Sequence, residues 1–382
     1  MRFNFTGNAY VETDQSKKTY FDRSGTTKIK EDGSGGDPYT SIQFSVASDK
    51  NNRGYVELFG MKKEKINTIG TDGEQLEIDW DSRNDEEVLK LVANKNVANF
   101  TQEGRVEFIT DVDLADFIKE HAEELKGRKV TVTGKVNKDF YNGKARDRFV
   151  VQSVFTADDN AKTGLRIFGD YFFTKDSFDT AEWNKEHKLI INGYTQEYVA
   201  SVAKKSDKDS KRRYVPRTLV FDCSKVDFDN EIHVKHVKYR LKQLGLDFED
   251  GKIKNNLSSK KAYKVSAIIS YINGNEEIAF DEKTLTENQR MAIDLGLKTL
   301  DDFKPKGRIY GDRIVEYKLV DFDLRGDFKD GCVELDDTVS EFEDDIYIPA
   351  TEESEDEIMN KPTQEEDTKS DDEELTAESL FS

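Results

Sequence analysis

The chain has 382 residues, of which 36% are charged and 35% hydrophobic, and its formal net charge is −20. This length leaves room for two or three domains, and two cysteines, Cys223 and Cys332, are too few for a disulfide framework. No apolar run reaches the length of a membrane span, and residues 1–10 lack a signal peptide's apolar core. The composition therefore predicts a cytoplasmic protein without a membrane partner.

The negative charge is concentrated near the C-terminus. Residues 334–382 hold 20 Asp and Glu and two Lys, which leaves residues 1–333 with a net charge of −2. Local basic patches can therefore govern binding over most of the chain. By composition we expect residues 331–382 to form a disordered acidic tail. Its terminal pair Leu380-Phe381 indicates a docking peptide for partner proteins, and the tail could also compete with phosphates for basic loops; a purely solubilising tail is the alternative.

Residues 1–36 suggest a strand region followed by a loose arm. In that arm Tyr20, Phe21 and Arg23 stand close to Lys17 and Lys18. Aromatic rings beside cations suit a surface that binds bases and phosphates. The alternative is that Tyr20 and Phe21 belong to the core.

Apolar residues alternate with polar ones over 39–48 and 54–60, which predicts two paired strands. A clear amphipathic helix is predicted over Thr110–Lys126, opened by the Thr-x-x-Asp box of Thr110 and Asp113. Strands, then a helix, then a hairpin is the order of an OB barrel. Gln75–Trp80 and Gly104–Ile109 are the candidates for its third strand.

A basic, aromatic hairpin is predicted over 127–155. Its strands alternate Val with polar residues, and Asn142-Gly143 suits the tight turn between them. Cations with flat rings on such arms suit a charged backbone with exposed bases, so single-stranded nucleic acid is the predicted ligand. An ordinary sheet with a solvated hairpin tip is the alternative. The candidate binding residues of the arms are Lys135, Lys138, Phe140, Tyr141, Lys144, Arg146 and Arg148.

After an expected linker at 157–186, the stretch Lys188–Gly193 echoes Lys129–Gly134 and opens a second unit. A polar, basic loop at 203–213 lies between two predicted strands. OB folds grip nucleic acid with the loop between strands 1 and 2, and we expect this loop to take that place; a solvated loop is the alternative. The binding residues assigned here are Tyr198, Lys204, Lys205, Lys211, Arg212, Arg213, Tyr214 and Arg217.

The rest of the second unit alternates helices and hairpins. Helices are predicted over Asn230–Gly245 and Thr286–Gly296, the second with a Thr-x-x-Gln box. Hairpins are predicted over Tyr263–Phe280, turning at Asn273-Gly274, and over Lys306–Leu324. Together these elements predict a second OB-like barrel.

Catalytic and metal-binding motifs are weak. His233 and His236 stand on a predicted helix without a nearby Cys, and the pairs Asp111 with Asp113 and Asp321 with Asp323 are candidates for a two-metal nuclease site. Carboxylates are abundant here, so such pairs arise by chance. We predict no catalytic residue, no metal, no cofactor and no small-molecule substrate.

Two stretches, PYTSIQFSVASDKNNRGYVELFG and GRKVTVTGKVNKDFYNGKARDRFVVQSVF, together with the acidic C-terminus, resemble single-stranded DNA-binding proteins of tailed phages of Gram-positive hosts. The resemblance covers about residues 37–155, and the tail by general character. It implies OB folds that coat single strands, and a tail that contacts replication and recombination proteins. The chain departs from the pattern because it is longer than a one-barrel protein, ends in Ser382 and lacks a Gln/Gly/Pro-rich linker.

The sequence therefore predicts a mostly β fold with a few helices (α+β), one or two OB barrels and a disordered acidic tail. The predicted domains are 1–156, an N-terminal barrel with an extension, and 187–330, a second barrel, followed by the tail at 331–382. The predicted function is a non-enzymatic coat protein for single-stranded DNA in phage replication and recombination, in the host cytoplasm. The alternatives are an acidic interaction protein, such as a DNA mimic or host-enzyme inhibitor, and a metal-dependent nuclease.

Overall fold

The computed structural model describes residues 1–29, 35–141, 144–198, 212–278, 285–295, 298–299 and 309–347. Within these ranges the fold is mostly β with a few helices, as predicted, and one sheet of 15 strands dominates it. The sheet closes on itself twice, which gives two five-stranded rings that we name the first ring and the second ring.

Five strands form the first ring. In chain order they are β1 (Arg2–Tyr10), β2 (Pro38–Ala47), β3 (Arg53–Met61), β4 (Lys129–Tyr141) and β5 (Lys144–Thr156). β1 pairs antiparallel with β2 and β4, β2 pairs antiparallel with β3, and β4 pairs with β5. A parallel pairing of β3 with β5 closes the ring. Inward side chains alternate with outward ones, and Phe3, Phe5 and Phe149 fill the interior.

The second ring repeats this connectivity. Its strands are β6 (Gly164–Thr174), β7 (Lys188–Tyr198), β8 (Arg212–Asp222), β9 (Lys261–Ile278) and β10 (Ile309–Phe322). β6 pairs antiparallel with β7 and β9, β7 with β8, and β9 with β10. The parallel pairing of β8 with β10 closes this ring in the same way as the first.

Each ring has a helix between its third and fourth strands. In the first ring it is α1 (Asp111–Glu120), extended by a short helix at Ala122–Leu125. The Thr110 hydroxyl accepts a hydrogen bond from the Asp113 backbone N–H at 3.1 Å, which confirms the predicted N-cap. In the second ring the helix is α2 (Glu231–Gln243), where the Asn230 side chain accepts from the Ile232 N–H at 2.9 Å.

The remaining elements are short. The additional strands are Gly25–Thr26, Lys65–Ile69, Gln75–Asp79, Asn96–Asn99, Val106–Phe108, Phe178–Asp179, Leu246–Glu249 and Lys252–Asn255. The additional helices are Glu86–Leu91, Trp183–Glu186 and Glu287–Asp294, with 3-10 turns at Trp80–Ser82, Lys175–Ser177 and Gly326–Phe328. Neither candidate for the third strand of the first ring holds that place: residues 75–79 pair with 65–69, and residues 106–108 pair with 96–99.

The two rings are continuous with each other because β1 also pairs with β6. Residues 2–6 pair antiparallel with residues 164–168. The ring of Tyr271 on β9 lies parallel to Phe5 at 6.1 Å between centroids and 5.1 Å from Phe149. Residues 1–139 and 146–348 form one compact unit. The expected linker at 157–186 therefore has to be corrected, since it contains the first strand of the second ring.

The two hairpins predicted in the second unit are also corrected. β9 runs unbroken through Asn273-Gly274, and β10 is one strand rather than two. The dipeptide is used for a close contact instead of a turn: the Asn273 side chain donates to the Arg53 carbonyl at 2.9 Å. A Cβ on Gly274 would lie 1.4 Å from the carbonyl oxygen of Asn51. Only glycine allows the turn between β2 and β3 to approach this closely.

Part of the expected tail is folded. Residues Val333–Thr338 form a strand, β11, that pairs antiparallel with β9, and Val339–Asp344 form a helix, α3. The tail prediction from residue 331 is therefore corrected for residues 333–344, which hold Leu335 and Phe342 against the second ring. The tail after residue 347, with Leu380 and Phe381, lies outside the described residues.

Candidate nucleic-acid interface

The predicted cations of the hairpin arms divide between the interior and the surface. Lys138 is buried, whereas Lys135, Arg146 and Arg148 are exposed or largely so. The reason is strand parity: Lys138 lies on the same side of β4 as the inward residues Val132 and Val136. Phe140, Tyr141 and Lys144 belong to these strands, but their side chains fall outside the described part of the structure.

Lys138 and Arg217 meet at a buried carboxylate, Asp147 on β5. Arg217 donates two hydrogen bonds to it, at 2.7 and 2.9 Å, and the Lys138 amine lies 2.7 Å from it. The Tyr317 hydroxyl donates to the same carboxylate at 2.5 Å, and Glu197 lies 3.8 Å from Arg217. We name these five residues the buried ionic cluster. It joins the hairpin of the first ring to β7, β8 and β10 of the second.

The cluster is electrostatically coupled. Burial alone would raise the pKa of Asp147, but Arg217 and Lys138 outweigh it and hold that pKa well below the ordinary value. Burial, with the nearby Arg217, lowers the pKa of Lys138. Both cations are thus occupied by a structural carboxylate. We correct their assignment to the binding surface, because neither presents its charge to solvent.

The predicted binding residues between β1 and β2 also divide between the core and the surface. Phe21 is buried in the main core at 6% exposure, so its core alternative holds and it has no free ring face. Tyr20 is partly buried and accepts a hydrogen bond from Gln15 at 3.4 Å. Arg23 is exposed, and its backbone N–H donates to the Ser41 carbonyl at 2.7 Å, which fixes this connection along β2.

Arg23, Arg146 and Arg148 converge on one cleft. It has a volume of about 300 Å³ and is lined by residues of β2, β3 and β5, among them the outward-pointing Gln43, Tyr55 and Glu57. Arg148 pairs with Glu57, and Arg146 pairs with Asp139 at 2.8 Å. The three cations thus come from two separate parts of the chain: Arg23 from the segment between β1 and β2, and Arg146 and Arg148 from β5.

Aromatic rings continue this outward side. Phe149 pairs with Val56, which places Arg148 beside Tyr55 on neighbouring strands. Further along β3, Phe59 is 46% exposed, and its ring lies 5.4 Å from that of Tyr39 on β2. We name the set Arg23, Tyr39, Tyr55, Phe59, Arg146 and Arg148 the aromatic–arginine face. At the other end of β3, the Arg53 guanidinium lies 4.2 Å from the ring centre of the exposed Tyr10.

The sequence prediction missed Tyr39, Tyr55 and Phe59, although a signal was present. Val56 and Leu58 alternate with Tyr55 and Phe59, so the aromatic residues of β3 had to point away from the core. Exposed aromatic rings on a strand are what sequence-tolerant base stacking requires.

Lys135 lies on a different surface. It stands directly opposite Arg2 on the neighbouring strand, both are exposed, and both line a groove of about 1050 Å³ across β4, β1 and β6. Like charges directly opposite each other destabilise a sheet, which favours an anion between them. Asp170 and Asp323 line the same groove. It is a second, more mixed candidate for phosphate contact.

In the second ring, the basic loop lies between the second and third strands rather than between the first two, because β6 is the first strand. Lys204, Lys205 and Lys211 lie outside the described residues, as does the side chain of Tyr198. Arg212 is exposed, whereas Arg213 pairs with Asp345 at 3.4 Å. Tyr214 faces outward, where its ring packs against Phe342.

The carboxylate pairs weighed for metal binding are engaged in hydrogen bonds. Asp113 accepts from Arg83 at 3.0 Å, and Asp111 accepts from the Asn96 amide at 2.8 Å. Over the described ranges, no group of three or more His, Cys, Asp or Glu side chains is placed to hold a metal ion. None of the helices in those ranges has the length and apolar character needed to cross a membrane.

Comparison with known proteins gives little. No model of a known protein family matches the sequence, and no curated protein matches it. Among solved structures, the chain is similar to a deletion variant of the single-stranded DNA binding protein from Thermus aquaticus. The two share 8% identity and a TM-score of 0.27, over 71% of this chain and 86% of that one. At this level the similarity supports no conclusion about fold or function.

Proposed function

We propose that the chain is a non-enzymatic single-stranded DNA-binding protein, and that the aromatic–arginine face of the first ring is its main contact surface. The observation that carries the proposal is the convergence on one cleft of Arg23, from the first connection, with Arg146 and Arg148, from the hairpin, beside Tyr55. Cations would neutralise phosphates while the rings stack on bases.

We further interpret each ring as an OB barrel. The pairing order, the parallel contact of the third and fifth strands and the helix after the third strand support this interpretation. OB folds bind oligonucleotides on the face of strands 2 and 3 and with two loops. One loop joins strands 1 and 2, and the other joins strands 4 and 5. In the first ring these are the elements that carry the aromatic–arginine face.

The charge distribution is compatible with this role. Residues 1–333 carry a net charge of only −2, so a local group of arginines can attract a polyanion. A coat function in phage replication and recombination, and recruitment of partners through the acidic tail and Leu380-Phe381, remain part of the proposal. They follow from the sequence resemblance.

The test is fluorescence anisotropy of a labelled oligo-dT with the full chain, across a salt series. Tyr55→Ala and Phe59→Ala should each weaken binding by about 5- to 150-fold, since one stacked base contributes about 1–3 kcal/mol. Tyr239→Ala is the matched control, because Tyr239 is a similarly exposed aromatic residue on α2, at 51% exposure. It should leave affinity unchanged.

Two results would count against the proposal. Equal affinities for the two face variants and the control would remove the aromatic–arginine face from the contact surface. No binding by the unaltered chain at low salt would favour the acidic interaction protein instead, with the rings as protein-docking modules.

A further inference from the structure

The outward side of the second ring carries its own group of aromatic rings. Tyr171 and Phe173 point into the core, so Phe172 between them points outward, where it pairs across the sheet with Tyr194. Tyr214 on β8 lies 4.9 Å from Phe172 between ring centroids. These three residues stand on the first, second and third strands of the second ring, as Tyr10 and Tyr55 stand on the first and third strands of the first ring.

Among the described residues, Tyr10 and Phe59 on the corresponding side of the first ring are 45% and 46% exposed, whereas this side of the second ring is covered. Phe342 of α3 lies 4.3 Å from the Tyr214 ring and 5.4 Å from the Tyr194 ring, and it is 1% exposed. The cover continues along β8, where the Tyr214 N–H donates to the Asp345 carbonyl at 3.1 Å and the Tyr347 N–H donates to the Tyr214 carbonyl at 2.9 Å.

The covering segment combines features of a single nucleic acid strand. It presents one flat ring to the aromatic group, and it carries four exposed acidic side chains. One of them, Asp345, forms an ion pair with Arg213 at 3.4 Å. The acidic residues are Glu341, Glu343, Asp344 and Asp345.

We propose that Phe172, Tyr194 and Tyr214, with Arg213, form a second base-stacking site for single-stranded nucleic acid, which residues 339–347 occupy in the closed chain. This inference rests on the proposed function. Phe342 takes the place of a base, and the carboxylate of Asp345 takes the place of a phosphate. An incoming strand binds the site by displacing the segment.

The contacts suit a displaceable occupant. Phe342 belongs to a small apolar cluster separate from the main core, and the Arg213–Asp345 pair is partly solvated. Such pairs contribute little to stability. The preceding strand, β11, stays paired with β9 at residues 333, 334 and 338, so only the nine residues after it need to move. The chain can therefore open this site without unfolding the ring.

Phe342→Ala should open the site. We expect about tenfold tighter binding of a long oligo-dT, as one stacked base is gained, and little change for a short oligo-dT that fills only the first ring. Asp345→Asn should act in the same direction by a smaller factor. Truncation after Tyr347 is the matched control: it removes the acidic tail and leaves the cover, so the effect of Phe342→Ala should persist in it. Adding Tyr194→Ala to Phe342→Ala should abolish the gain.

Hydrogen exchange on the unaltered chain gives a test that no folding defect of a variant can obscure. Saturating oligo-dT should speed exchange over residues 339–347, including the Tyr347 amide. Unchanged or slower exchange there, with no gain from either single variant, would overturn the second site while leaving the first-ring proposal intact. If the unaltered chain and Phe342→Ala both fail to bind oligo-dT, this inference falls together with the proposed function.

Discussion

Asp147→Asn removes the carboxylate with which both Lys138 and Arg217 pair in the buried ionic cluster. The substitution keeps the shape of the side chain but leaves two buried cations with one remaining carboxylate of the cluster, Glu197, 3.8 Å from Arg217. Breaking a buried ion pair by removing one partner costs about 3–5 kcal/mol, because an uncompensated charge stays buried. Here one carboxylate accepts from three donors, Lys138, Arg217 and Tyr317. We therefore expect a loss in that range, which is a large part of the stability of an ordinary domain.

Urea denaturation at pH 7, followed by circular dichroism, measures this loss. Asp139→Asn is the control, because Asp139 also pairs with an arginine of the same hairpin, Arg146, which is largely exposed. Its cost should stay within about 1 kcal/mol.

A third variant separates charge from packing. Asp147→Leu combined with Lys138→Met, Arg217→Met and Glu197→Met removes all four charged groups of the cluster at similar volume, and it should recover most of the loss. A cost of Asp147→Asn below about 1 kcal/mol, or a quadruple variant as unstable as the single one, would refute the electrostatic account.

Three further predictions concern pH, packing and salt. The folded-state pKa of Asp147 lies below its ordinary value of about 3.9. The stabilisation that its carboxylate gives the folded chain is therefore complete above about pH 3.9 and is lost as the pH falls through the folded-state pKa. In the Asp147→Asn variant, the free energy of unfolding should depend less on pH in this acid range. Gly274→Ala should cost about 1–3 kcal/mol or more in urea denaturation, because its Cβ would lie 1.4 Å from a backbone oxygen. Gly164→Ala, where the nearest atom is 4.0 Å away, should be nearly neutral. Arg23→Gln should reduce the slope of log affinity against log salt by about 0.7, whereas Lys138→Met should leave that slope unchanged, and equal slopes for both would contradict the assignment.

Local signals in the sequence predicted local structure well. The box formed by Thr110 and Asp113 opens α1, and Thr286 with Gln289 opens the helix at 287–294. Each involves residues three apart, so their geometry needs no partner elsewhere in the chain. The alternation that predicted β2 and β3 is equally local.

Signals that depend on a distant partner were misinterpreted. Asn273-Gly274 is a strong turn signal when flanked by apolar residues. In this chain the dipeptide lies within β9 and contacts the turn between β2 and β3 of the first ring instead. Similarly, the acidic residues around 157–163 suggested a linker, although Leu165, Ile167, Tyr171 and Phe173 already showed the alternation of a strand. Composition was given more weight than periodicity there.

Strand parity would have corrected the choice of site residues. Arg217 shares its side of β8 with the buried Leu219 and Phe221, whereas Arg148 lies on the side of β5 opposite the buried Phe149. An inward cation needs a buried anion, and Asp147 has the inward parity as well. What the sequence could not supply is that this anion comes from the other ring.

The two rings also set an expectation for the footprint on a single strand. One OB unit typically covers about 4–16 nucleotides, and two open faces would cover more than one. Only the first ring has an open aromatic face among the described residues, since Phe342 covers that of the second. When poly-dT is added to the chain and tyrosine fluorescence is followed, the first additions should therefore give a footprint near that of one OB unit. A footprint of two units from the first additions would mean that the second face is already available in the free chain.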